Sequence, residues 1–432
     1  MGIPWLFGFF VIFYLTKRTN ASIQADMSIL TRGCKPIEDT STMMRLKRYL
    51  LCSYDTTVRP TTNHLKATNV TVKLMPKFLE FNEWDSTMTL HSWMYLSWKD
   101  EHLTWNSNDF DGINFVHIRS DEIWVPDFAV YNSGDMSLQQ SGVPLTNCLL
   151  SNIGTVTCIP ALKYVTRCST DFTYWPYDKH ECRIRFGAWA HTGEEISFEL
   201  DEKGYQMNGY VNSTEWSMKI LSASIIVKKY DCCPNDTFPL IVYAFTVERQ
   251  PGQMHTAFIT PAVAIALLTL TVLWLDSRST ERMAMASMNF ICHLLCIFDL
   301  HWQLPHNGIN PPNILLFYRD SLALATFALI LTALLRKLQN MSIDAPSWVS
   351  NTTTFVLNNR AGRFLILSDG ESKTSTSDIL ANETDENSDL PKANDEKKES
   401  SWRHFAAIVE WVSFLAVVLT YVIDLLILVP LH

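Results

Sequence analysis

Two hydrophobic periods divide this chain. From residue 69 to about residue 249, apolar and polar positions alternate in short runs such as VTVKL, TMTLHSWMYLSW, GTVTCIPALKYV and SASIIVKKY, separated by clusters of Asn, Asp, Gly and Pro. Alternation with period two buries one face of a strand. Many such runs at near-regular spacing predict an antiparallel all-β sandwich of the immunoglobulin-like kind. Ahead of it, residues 37–51 (IEDTSTMMRLKRYLL) predict one short N-terminal helix that stops before VRP at 58–60.

Beyond residue 255 the pattern lengthens into four apolar segments. Residues 256–275, 314–335 and 405–429 are long enough to cross a bilayer, although the last contains Glu410 and Asp424. Residues 283–304 are less apolar and carry His293, Asp299 and His301, so a soluble amphipathic helix competes with a span there. The combined expectation is a sandwich followed by a four-helix transmembrane bundle.

Charge orients these spans. Arg278 and Arg282 separate the first two; Arg336 and Lys337 follow the third; Lys397, Lys398 and Arg403 precede the fourth. The connection HNGINPPN carries no Lys or Arg, so the positive-inside tendency places both ends of the mature chain outside. The Ser/Thr-rich charged stretch 368–401 then reads as a disordered cytoplasmic loop. Sequons at Asn351 and Asn382 would lie on the wrong side for glycosylation.

At the start, residues 3–15 form an apolar run of signal-peptide length. A membrane anchor competes, because Lys17 and Arg18 follow the run instead of preceding it. The predicted division is a signal peptide at 1–21, an extracellular domain at 22–254, helices one to three at 255–338, a largely disordered loop at 339–403 and helix four at 404–432. Secretory entry permits disulfides and gives meaning to the sequons at Asn69, Asn212 and Asn235.

Composition narrows the chemistry. A formal charge of −9 without long basic runs argues against a nucleic-acid partner. There is no Gly-rich phosphate loop, no metal-spaced His/Cys set and no Ser–His–Asp order in motif context, so neither an enzyme nor a cofactor or metal site is indicated. His180, His191 and His293 are scattered and fit surface or packing roles. Of the ten cysteines, Cys34, Cys52, Cys148, Cys158, Cys168, Cys182, Cys232 and Cys233 precede the spans and could form four bridges. Cys292 and Cys296 sit inside a span and read as packed thiols.

The segment CSTDFTYWPYDKHEC, 168–182, in isolation says only that two oxidised cysteines could close a hairpin-like loop. Its core of Trp175, Pro176, Tyr177 and Asp178 resembles the signature loop of the Cys-loop receptors, the pentameric ligand-gated ion channels, with Trp and Tyr where the family usually has Phe. WMYLSWKDEHLTW (93–105) is similar to the family's W-x4-W-x-D-x2-L-x-W strand, and IWVPDFAVYNSGD (123–135) to its W-x-P-D-x4-N segment. FGAWAHTGEEI (186–196) follows the loop as it does in these receptors. The adjacent Cys232 and Cys233 in KKYDCCPNDTF resemble the mark of nicotinic acetylcholine receptor α-type subunits.

The resemblance implies a subunit of a homopentamer or, preferentially, a heteropentamer in the plasma membrane, at a postsynaptic site, gated by acetylcholine or a related cationic amine. It implies bridges Cys168–Cys182 and Cys232–Cys233, the second a strained turn stiffening a hairpin tip over the ligand. Cys148–Cys158 across a hairpin-like segment and Cys34–Cys52 around the first helix are extra to the usual family set and follow by elimination. Tyr131, Trp189, Tyr230 and Phe238 would form the principal side of an aromatic box, with Trp93 and Tyr95 serving the complementary face of a neighbour. Taken singly, each aromatic is more often core than ligand contact; only their joint motif positions reverse that. Phe238 departs from the family Tyr in hydroxyl and register, and a glycan at Asn235 would share the tip.

In the second span, Ala284, Met288, Ile291, Leu295, Phe298 and Trp302 share one helical face. The resemblance turns this face to the pore and makes rings of Glu281 and Asp299 that attract cations. Conventional cation-conducting members carry Ser or Thr hydroxyls there; this face has none, and an apolar lining favours dewetting. A subunit of a transmitter-gated cation channel is therefore the first expectation. A non-conducting or modulatory binding subunit of the same fold is the alternative.

Overall fold

The computed structural model describes residues 41–135, 142–305, 310–340, 345–359 and 392–428, with backbone alone over 392–401. The signal-peptide segment, Cys34 and Asn382 lie outside the described residues. The chain divides into two units: one holds most of the strands, the other the helices together with Ser169–His180, Thr214–Ser217 and the chain from Val247 onward.

In the first unit, helix α1 (Thr42–Leu51) starts at Ser41, whose hydroxyl accepts the Met44 N–H at 3.4 Å. Leu46 and Leu50, four residues apart, are its buried face. The predicted helix is thus present, and its first residues fall outside the described ones.

Eleven strands follow: β1 (Thr68–Asn82), β2 (Thr87–Lys99), β3 (Phe115–Arg119), β4 (Ala129–Val130), β5 (Asn147–Ser151), β6 (Thr155–Cys158), β7 (Ala161–Arg167), β8 (Lys179–Gly187), β9 (Ile196–Tyr205), β10 (Trp216–Tyr230) and β11 (Cys233–Arg249). One sheet runs β3-β5-β6-β2-β1-β9 with β7 also on β2; the other runs β10-β11-β8-β4. The pairing of β1 with β9 is parallel, a departure from the wholly antiparallel expectation. The period-two pattern is obeyed: Val70, Val72 and Leu74 on β1 and Met88, Leu90, Met94 and Leu96 on β2 are fully buried. Between the layers Phe186 stacks on Phe128 at 4.9 Å and meets Tyr164 edge-on at 4.9 Å.

Two expected bridges are formed. Cys148 and Cys158 face each other in the β5–β6 register, Cα atoms 4.3 Å apart. Cys168 and Cys182 are joined with Cα atoms 4.4 Å apart. Cys52 is disulfide-bonded.

Among the described residues the second unit contains four helices long and apolar enough to cross a membrane: α2 (Gly252–Trp274), α3 (Thr280–Gln303), α4 (Asn313–Gln339) and residues Trp402–Leu428 of the last helix. The competing soluble reading of the second segment gives way to a long apolar helix. In α2 the turn before Pro261 widens into a π-helical stretch, His255–Ile259, since proline has no N–H to close an α-turn.

Residues 341–344 and 360–391 of the predicted loop at 339–403 lie outside the described residues. Helix α5 (Ser347–Asn358) buries Val349 and Thr353, and Trp348 meets Phe405 edge-on at 5.4 Å. The final helix, α6 (Lys392–Leu428), begins twelve residues before the predicted boundary at 404. An aromatic contact supplies burial that the polar composition of the segment did not suggest.

The polar residues of the second span also find their place. Asn289 donates to Thr269 Oγ1 at 2.8 Å, and His293 Nε2 lies 2.8 Å from Ser321 Oγ, itself 2.8 Å from the Tyr421 hydroxyl. One hydrogen-bonded network thereby touches all four long helices. Buried Arg282 donates to Thr332 Oγ1 at 3.1 Å and forms an ion pair with Glu410.

Candidate functional site: an aromatic cluster at a strand hairpin

Strand pairing builds the first half of the site. Ala129 and Val130 pair antiparallel with Gly187 and Phe186, which places Tyr131 opposite Arg185; its side chain reaches back along β8 to Trp189, with ring centroids 5.5 Å apart. The Tyr131 hydroxyl donates to the Ala188 carbonyl at 2.5 Å, which fixes its ring. Burial, then the neighbouring Tyr230 and Asp127, push this phenol up to about 12, so it is neutral at physiological pH.

The second half comes from the β10–β11 hairpin. Tyr230 ends β10, and its ring meets Phe238 of β11 at 5.4 Å. The hairpin is tied to the segment after Trp189: the Gly193 N–H donates to the Thr237 carbonyl at 2.7 Å, and the Thr237 hydroxyl to Glu194 at 2.8 Å. These bonds hold the hairpin to the segment after Trp189, and Tyr230 is near enough to Tyr131 to act on its phenol. Trp189 remains 71 % exposed.

Cys232 and Cys233 stand at the hairpin tip as thiols, with sulfurs 2.7 Å apart. The bridge expected between them is therefore unmade in this structure. Closing it requires a small ring that distorts the planar trans peptide between adjacent residues. Both are in place for it.

Sequence reasoning missed several residues that hold the site. Asp127 accepts the Ala190 N–H at 2.6 Å and lies 3.3 Å from His191 Nδ1, steadying the turn after Trp189. Its place in the W-x-P-D segment was the available signal. Gly187 had none: a Cβ there would come within 2.5 Å of Leu240 and 3.0 Å of Tyr131, so only glycine lets Tyr131 close on β8.

Trp93 and Tyr95 lie on β2, in the other sheet, and are not brought to the cluster. Trp93 is 43 % exposed and lines a separate 320 Å³ hollow with His91, Lys77 and Lys163. The sequon residues Asn69, Asn212 and Asn235 are all exposed.

In the helical unit, Glu281, Ala284, Met288, Ile291, Leu295, Phe298, Asp299 and Trp302 of α3 are all exposed. Opposite them, Arg282, Ala286, Asn289, His293 and Leu300 are buried. The residue Asp178 of the signature loop is buried; it receives a two-pronged pair of bonds from Arg249 at 2.7 and 3.1 Å and contacts His180 Nε2 at 2.6 Å. Burial pushes its carboxyl up, but the bonds from His180 and Arg249 outweigh this and hold it below the usual range. Trp175 and Phe172 of the same loop pack in one cluster with Phe258, Ile265, Leu300 and Tyr318.

A strand sandwich bearing this loop and this hairpin, with four apolar helices after it in the chain, is the set of features that the resemblance to ligand-gated channel subunits implied. Residues 43–251 match the family described as neurotransmitter-gated ion-channel ligand binding domain. The matched domain and the likeness to nicotinic receptor subunits support a divergent member of the Cys-loop receptors. The chain is 28% identical over 320 residues to the neuronal acetylcholine receptor subunit alpha-2 of Pan troglodytes, covering 72% of this chain and 59% of that one. Against the neuronal acetylcholine receptor subunit beta-4 of Homo sapiens the identity is 26% over 278 residues, covering 64% and 55%. Against the acetylcholine receptor subunit alpha-like of Manduca sexta it is 27% over 315 residues, covering 70% and 60%. The match thus spans about three fifths of each relative's length. The names of these relatives are those of receptor subunits, and among the described residues four helices of this chain are long and apolar enough to cross a membrane.

Proposed function

We propose that this chain is a subunit of an acetylcholine-type ligand-gated cation channel, in which a cationic amine binds between the Tyr131–Trp189 and Tyr230–Phe238 pairs and opens a central pore. What supports this reading is the pairing of Tyr131 with Trp189 and of Tyr230 with Phe238, with Tyr230 near enough to Tyr131 to raise its phenol. Aromatic faces attract a desolvated ammonium by roughly 2 kcal/mol. Trp93 and Tyr95 complete the box of a neighbouring subunit, in a heteropentamer by preference, with both chain ends outside and a postsynaptic site of action. Glu281 and Asp299, exposed on α3, supply the acidic rings.

The test is radioligand binding with Trp189→Ala in pentamers shown by purification to contain the chain. Affinity for a quaternary ammonium should fall by about 2 kcal/mol, roughly thirtyfold. An unchanged affinity in a folded variant removes the box. A second measurement addresses the tip: mass mapping without reductant should find Cys232 and Cys233 joined in the mature protein, and free thiols there would reject the bridge.

A second reading, that the chain binds or modulates without conducting, is favoured by the exposed face of α3, which carries no hydroxyl from Ala284 to Trp302. Recordings from the chain alone and with conventional subunits separate the two.

A further inference from the structure

A cavity of about 660 Å³ lies wholly within the helical unit, between the signature loop and the ends of three helices. Its walls are Ile259, Ala262 and Val263 of α2, Ile314 and Phe317 of α4, and Leu425 and Leu428 of α6. This is the size of a small-molecule site, and its apolar lining is typical of one. Trp175, Tyr174 and Tyr177 of the loop close the remaining side.

Among the described residues, two polar groups in this apolar setting are unsatisfied. Asp424 lines the cavity, and its Oδ2 is shielded from solvent without a hydrogen-bond partner. The nearby cation Arg319 is forked onto Asp320 at 2.8 and 3.1 Å and acts on Asp424 only through space, with no hydrogen bond to it among the described residues. Trp175, 3 % exposed, also lines the cavity, and its indole Nε1 has no acceptor. The other charged lining groups are occupied: Asp178 by Arg249 and His180, Lys179 by Glu248 at 3.4 Å, and Asp171 by Thr173. An ionisable residue at membrane depth is costly and marks a functional pathway or partner. A buried donor and a buried acceptor left open together have the same cost.

We propose that this cavity binds an amphiphile carrying a protonated amine and a hydrogen-bond-acceptor oxygen. The amine pairs with Asp424, the oxygen accepts from Trp175 Nε1, and the apolar body lies against Val263, Phe317 and Leu425. The amphiphile comes either from the bilayer, as an aminophospholipid headgroup, or from solution, as a hydrophobic amine. This site is independent of the aromatic cluster and does not rest on its assignment.

The experiment uses the full chain, co-expressed with conventional receptor subunits and reconstituted in nanodiscs. The probe is a tertiary-amine alkyl ester bearing a diazirine. Mass spectrometry should place its label on residues 259–263, 313–317 or 424–428, with the amine-free ester labelling at least about tenfold less, the scale of one charge-assisted bond. Asp424→Asn should lose about tenfold of the labelling, Asp424→Glu should retain it, and Trp175→Phe should weaken it less than Asp424→Asn does. Pentamer elution and agonist binding check folding, and the Glu variant controls for local damage. Competition by added phosphatidylethanolamine supports the lipid as source, and its absence, with labelling intact, supports a free amine. Equal labelling by the amine-free ester, labelling untouched by Asp424→Asn, or no labelling in this cavity would each overturn the proposal.

Discussion

The strand unit and the helical unit solve the same problem with opposite patterns. In the sandwich, β2 turns Met88, Leu90, Met94 and Leu96 inward and leaves Thr87, Thr89 and His91 partly exposed. In α3 the arrangement is inverted: Arg282, Asn289 and His293 are buried, while Met288, Ile291, Leu295 and Phe298 are exposed. The difference follows from what surrounds each unit. Water rewards burying apolar surface, so the sandwich hides it. Lipid offers no such reward, and polar groups there must be satisfied inside the protein. A face neither buried nor polar, such as the outer face of α3, is left for a neighbour, for lipid or for a pore.

The largest expected effect tests the inverted side. Arg282→Met strands Glu410 and removes the bond to Thr332. The cost should be about 3–5 kcal/mol, the range for breaking one partner of a buried pair. Fluorescence-detected elution of detergent-solubilised pentamer after a heat step reads it out. Adding Glu410→Leu should restore much of the loss, because an apolar pair replaces the ionic one. Failure of the double variant to recover would show that Arg282 acts through Thr332 and the Leu275 carbonyl, which it also contacts at 2.5 Å.

Next in size is the sandwich side. Cys168→Ser opens a loop of 14 residues' separation, and the loop-entropy relation sets the loss at roughly 3 kcal/mol. Surface pentamer counted by antibody labelling should fall sharply for this variant. Cys232→Ser, which opens only the adjacent pair, should leave most of the surface signal. Equal losses would contradict the role given to the larger loop.

The smallest effect concerns the pore face. Ile291→Thr adds a hydroxyl midway along an otherwise apolar exposed row and lowers the cost of wetting. In heteromers proven to contain the chain, agonist sensitivity or spontaneous current should rise, by an amount on the order of 1 kcal/mol in the gating equilibrium, the scale of a single hydrogen bond. Gating that stays the same would remove Ile291 from the pore.

Much of this molecule was legible in its sequence because the signals were periodic or local. Alternation marked the strands, long apolar runs marked the spans, and the four- and three-residue spacing from Ala284 to Trp302 marked one face of α3. The aromatic residues of the site could be singled out only by their places in ordered motifs. What tertiary structure decided was everything set by partners distant in the chain. The helix Ser347–Asn358 depends on burial against α6, and the fate of Asn289 and His293 on hydroxyls 20 and 28 residues away. Gly187 matters because Tyr131 and Leu240 arrive beside it from other strands, and Asp424 because Arg319 is forked onto Asp320. Periodicity records which side of an element prefers water; it carries no account of which polar group will find its match, since that match is made by folding in three dimensions.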